Sequence, residues 1–103
     1  MKQIDRIREM EACLDISAAA VESLSAALEQ YEAAQKSYKK LSDYYGSSRW
    51  MKDYEADEAG KLPKDLKRGV RSEDAVYGLI TENNALRIRM MRLLTQAMEQ
   101  NLL

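Results

Sequence analysis

The sequence predicts an all-α fold: a long antiparallel helical hairpin with a short helix in its connector, pairing into a helical bundle. Three observations predict it. Residues 2–45 contain neither Pro nor Gly and are rich in Ala, Glu, Gln, Lys and Leu, all good helix formers. Apolar residues recur at steps of seven in both the first and the last third of the chain. No segment alternates apolar and polar residues in the manner of a half-buried strand. At 103 residues, the whole chain, 1–103, is expected to form a single domain.

The long first helix is placed at 2–45. Ile7, Leu14, Val21 and Leu28 form one row at steps of seven. Leu24, Tyr31, Tyr38 and Tyr45 form a second, and Ala27, Ala34 and Leu41 a third. The later rows take over as the first runs out, as expected of one apolar stripe drifting around a straight helix. Its weakest point is Asp15-Ile16-Ser17, because Asp and Ser favour caps over helix interiors. Tyr31, Tyr38 and Tyr45 are expected in the core.

The connector, 46–72, opens on Gly46, a left-handed cap. Ser47 or Ser48 then caps a short helix at about 49–58, which Gly60 closes. Leu62-Pro63 is expected to start one further helical turn, stopped by Gly69. Ser72 is read as the N-cap of the last helix, 73–101, with Glu73 and Asp74 in the first turn, where the dipole favours negative charge. In that helix Val76, Asn83, Met90 and Ala97 form one row, and Leu79, Leu86 and Leu93 another. Asn83 falls inside this seam, where a polar residue commonly fixes register.

Composition excludes several classes of chemistry. There is no His, so neither a Ser-His-Asp nor a Cys-His arrangement exists. One Cys rules out an intrachain disulfide and a Cys-cluster zinc site. Cys13 is read as a small, partly buried packing residue in a reducing compartment. A formal net charge of −1 argues against a dedicated nucleic-acid binder. Charge is scattered through the first fifteen residues and no apolar run nears the ~20 residues of a membrane helix, so a cytoplasmic location without a membrane is expected.

The hairpin geometry leaves a remainder. Were residue 73 to pack near residue 45, the last helix would end near residue 16, leaving Ile4, Ile7, Met10 and Leu14 uncovered. A stripe of four such side chains seldom stays wet. Either the chain breaks at Asp15–Ser17 and folds back, or a second molecule covers it. A homodimer, or a helical protein partner, is the expectation.

The connector concentrates charge and aromatic residues. Asp53, Glu55, Asp57 and Glu58 are followed by Lys61, Lys64, Lys67, Arg68 and Arg71. These blocks are read chiefly as a solvated face whose charges answer each other. Asp53-x-Glu55-x-Asp57 resembles a calcium loop only faintly, because Glu58 and Lys64 stand where its Gly and terminal Glu belong. Neither a metal nor a cofactor is expected. Tyr44, Tyr45, Trp50, Tyr54 and Tyr77 cluster at the same end, and Trp50 and Tyr54 share a helix face. Asp53, Asp65 and Arg68 are the nearby groups for their polar atoms. Ser37-x-x-Lys40 matches a nucleophile pattern with nothing around it.

The run Tyr44-Tyr45-Gly46-Ser47, Trp50, Asp53, Gly60-Lys61-Leu62-Pro63, Asp65-Leu66-Lys67-Arg68-Gly69-Val70 and Ser72-Glu73-Asp74-Ala75-Val76-Tyr77 resembles a small bacterial family, domain of unknown function 4298. The resemblance is strongest over residues 41–80. It implies an all-helical protein with no established activity. The family pattern has Leu where this chain has Arg71, so the hydrophobic staple to Val76 is altered. The motif positions to test for a ligand or partner are Tyr45, Trp50, Asp53, Asp65, Arg68, Ser72, Glu73 and Asp74. Their simplest role is bracing, with Asp65 and Arg68 as a hydrogen-bonded pair. The leading expectation is a non-enzymatic protein acting through self-association or protein–protein interaction. The alternative is a ligand-binding or catalytic site built from Trp50, Asp53, Asp65, Arg68 and Glu73.

Overall fold

The computed structural model describes residues 1–71 and 73–101, and of Glu73 the backbone alone. The fold is all-α. Helix α1 spans Lys2–Tyr44, α2 spans Ser48–Glu58, a single 3-10 turn covers Gly69–Arg71, and α3 spans Glu73–Glu99. No described residue is in a strand, and no described helix is long and apolar enough to cross a membrane. The chain divides into two compact units, Met1–Tyr38 and Lys39–Leu103.

The first unit is wholly helical. α1 passes through Asp15-Ile16-Ser17 without a break. Strong helix formers on both sides outweigh the local preference of Asp and Ser for caps. Residues 1–30 are exposed at every position. Ile4, Ile7, Met10 and Leu14 are 43, 52, 53 and 60% exposed, and Val21, Leu24 and Leu28 continue the stripe on the solvated surface. Cys13 is exposed rather than packed, because this length of helix has nothing to pack it against inside its own unit. Tyr31, Gln35 and Tyr38, at steps of four and three, are half-buried. The expected core tyrosines Tyr31, Tyr38 and Tyr45 are therefore half-covered rather than buried.

The second unit holds the small core. Among the described residues, Trp50, Val76 and Asn83 are the buried ones. On α3, Val76 and Asn83 are buried and Met90 and Ala97 half-buried, so one row of the expected seam is the covered one. The other row, Leu79, Leu86 and Leu93, is exposed. Rows three residues apart lie about 60° around a helix, and a shallow covered line takes in only one of them. Asn101, at φ 56°, follows α3 in the left-handed conformation that Asn tolerates at helix ends.

The caps of α2 follow from three residues. Ser47 has extended backbone and its Oγ accepts from the Trp50 N–H at 3.2 Å, so Ser47 rather than Ser48 is the N-cap. At the far end, Lys61 N–H donates to Ala56 O and Gly60 N–H to Asp57 O, the paired bonds of a Schellman ending. Gly60 sits at φ +72° and Gly46 at φ +79°. An added Cβ at Gly60 meets no atom within 4 Å, so only its left-handed backbone resists substitution. Gly60→Ala is expected to destabilise the protein by about 1 kcal/mol in a denaturant titration.

Beyond Gly60 the connector is less regular than the sequence implies. The expected helical turn from Pro63 is a simple turn closed by Leu66 N–H on Pro63 O at 3.3 Å. Gly69 does not stop a turn but starts the 3-10 turn, closed by Arg71 N–H on Arg68 O. With carbonyls 63, 64 and 66 taken by the Arg68 side chain, as described next, no further backbone donor is needed there.

Candidate functional site at the connector

The site lies within the second unit and is built on one face of α2. Trp50, Tyr54 and Asp57, at steps of four and three, line up along that face. Trp50 anchors it. Its indole N–H donates to Val70 O at 2.8 Å, tying the 3-10 turn to α2. The Tyr45 and Trp50 rings meet edge-to-face at 5.5 Å and 72°, and Tyr54 stacks with Trp50 at 5.6 Å and 30°. Each such pair contributes roughly 0.5–1.5 kcal/mol beyond its buried area.

Asp57 is the electrostatic centre. Its side chain is 9% exposed and bridges two arginines, Arg68 Nε at 2.8 Å and Arg71 Nε at 2.5 Å. Arg68 also wraps its own loop, donating from Nη1 to Lys64 O and Leu66 O and from Nη2 to Pro63 O. Arg71 donates from Nη1 to Glu58 Oε1 at 2.7 Å, and its guanidinium lies 5.2 Å from the Tyr54 ring centre. This is how the acidic and basic blocks of the connector neutralise one another. Arg71 thus sets one cation beside an aromatic ring and two carboxylates.

Asp53 is exposed on the same helix. It accepts a hydrogen bond from the Tyr44 hydroxyl at 2.6 Å. That bond, then partial burial, then the negative charge of Asp53, push the Tyr44 hydroxyl up to about 12. A tyrosine held above its ordinary value stabilises the fold fully below about pH 10 and ceases to as pH rises through the folded value. In an ultraviolet phenolate titration, Tyr44 is expected to ionise late, and Asp53→Asn to bring it back toward the ordinary tyrosine range.

The structure thus brings together Tyr45, Trp50, Asp53 and Arg68 among the residues singled out from sequence. Asp65 is exposed and does not pair with Arg68, whose carboxylate partner is Asp57. The loop turn puts the Arg68 side chain across its own carbonyls and toward α2, away from the neighbour in sequence. Asp74 is exposed in the first turn of α3. Ser72 and the Glu73 side chain lie outside the described residues. Tyr77 is exposed and takes no part in the aromatic cluster. Sequence reasoning missed Asp57, Arg71 and Tyr44 as site residues. The signal for Asp57 was present, since it stands seven residues after Trp50 on the Trp50–Tyr54 face.

These groups surround a recess of about 340 Å³, floored by Trp50, Tyr54, Leu62 and Val70, with Lys67 among its lining residues. Both arginines are already engaged by carboxylates and carbonyls. Among its lining residues, Asp53, Lys67 and Tyr54 offer polar groups to a ligand. No group of three or more His, Cys, Asp or Glu among the described residues is placed to hold a metal ion.

Fold and site together define an all-α protein whose connector is closed by ion pairs around a single buried tryptophan. Residues 7–93 match the model of the family described as Domain of unknown function (DUF4298), and the chain belongs to that family. No curated protein and no solved structure matches it.

Proposed function

We propose that this is a non-enzymatic helical protein that works by self-association through the first unit of α1. The carrying observation is the unbroken helix α1, Lys2–Tyr44, with Ile4, Ile7, Met10, Leu14, Val21, Leu24 and Leu28 all exposed. These seven side chains present on the order of 600 Å² of apolar surface, near the ~800 Å² per partner of a stable interface and at the upper end of what monomers expose. A second copy carries the same stripe and is the occupant that fits it. A cytoplasmic setting suits the free, exposed Cys13. The connector supports this reading as a brace, because Arg68 and Arg71 are engaged by Asp57, Glu58 and loop carbonyls.

Residues 1–30 are exposed throughout, so association and helicity are linked there. Circular-dichroism melts at rising protein concentration are the test. The midpoint for loss of helix is expected to climb with concentration. A midpoint that does not move over a hundredfold range would contradict the reading.

A further inference from the structure

The geometry points to an antiparallel second copy on this stripe, with the two-fold axis between Asp15 and Ile16; this rests on the self-association reading above. Two observations set the direction. The first is charge. Residues 1–8 carry Lys2, Arg6 and Arg8 against Asp5. Residues 9–32 carry Glu9, Glu11, Asp15, Glu22, Glu29 and Glu32 with no cation. A parallel pair would set the basic ends side by side and every carboxylate level with its own copy. An antiparallel pair lays each basic end along the acidic segment of the other chain, and the dipoles of the two helices then oppose.

The second observation is shape. Leu14, Ser17, Ala18 and Val21 stand at i, i+3, i+4 and i+7, the four corners of a hole on a helix surface, and line an open groove there. Ser17 and Ala18 are too small to fill it. In the register given, Leu14 of the second copy enters this hole, and by symmetry the first copy's Leu14 enters the other. The same register sets Ile7 opposite Leu24 and Met10 opposite Val21. It also places Lys2 level with Glu29, and Arg8 level with Ser23, one residue from Glu22. All seven exposed apolar residues fall within the overlap.

Spin labels at a single cysteine test this in the full chain, with Cys13→Ser as background. Ala12 and Ala33 are exposed and stand on the side of α1 away from the stripe. In the antiparallel register two labels at Ala33→Cys are about 50 Å apart, and two at Ala12→Cys within about 20 Å. Short distances at both positions would show a parallel pair and overturn the proposal while leaving self-association standing. Long distances at both would place the axis elsewhere and also overturn it. No dipolar coupling at either position, with a monomeric mass, would remove both readings together.

Discussion

Leu14→Asp is expected to convert the associated protein into a monomer. Leu14 is 60% exposed in the single chain, and both copies lose it at once. Burying a leucine is worth about 2 kcal/mol, so two per pair are worth about 4 kcal/mol, or a ~1000-fold weaker dissociation constant. An unpaired carboxylate in the hole adds its own desolvation cost and pushes the effect further the same way. Because the first thirty residues are covered only by association, helicity should fall with it. Ala19→Glu, on the far side of α1, is the matched control and should leave both mass and helicity unchanged. Light scattering during size-exclusion chromatography reads the first quantity and far-ultraviolet circular dichroism the second. An unaltered elution mass for Leu14→Asp would exclude the stripe as the interface.

Asp57→Ala is expected to open the connector. The carboxylate is almost fully covered and is the link between Arg68, Arg71 and α2. Removing one partner from a buried pair costs about 3–5 kcal/mol, and the partial exposure of both arginines reduces this to about 2–3 kcal/mol. Arg68 would keep its bonds to the carbonyls of Pro63, Lys64 and Leu66 but lose its ion pair to α2, leaving the Trp50–Val70 and Arg71–Glu58 bonds to hold the connector there. Local opening of this size raises the open population ~30–150-fold. Trypsin cleavage after Lys61, Lys64 and Lys67 should accelerate by a comparable factor. Asp65→Asn, at an exposed position, should not change the rate. Equal cleavage of Asp57→Ala and the parent chain would remove Asp57 from its bridging role.

These two residues also mark where sequence reasoning reached and where it stopped. Periodicity carries the faces of helices well. The apolar stripe of α1, the shared face of Trp50 and Tyr54, and the row Val76, Asn83, Met90 and Ala97 all follow from spacing alone. Cap chemistry is equally local, so Ser47 and Gly60 fix the ends of α2 from within four residues. The weakness at Asp15–Ser17 was a real propensity overridden by its neighbours. Partner choice across an irregular loop is another matter. Arg68 had a carboxylate three residues away at Asp65 and another eleven away at Asp57. The decision rested on the turn from Pro63 to Leu66, whose shape is set by carbonyls that Arg68 itself satisfies. No spacing rule contains that feedback. Nor does periodicity say how wide a covered face is, which is why the Leu79, Leu86 and Leu93 row was expected inside and lies outside.

The central claim is that the exposed stripe of α1 is an interface between copies of this chain. Sedimentation equilibrium of the intact protein at micromolar concentrations tests it most directly. The account predicts a mass of about twice the 11.8 kDa chain, falling toward one chain only on dilution. A single 11.8 kDa species across the whole range would contradict it.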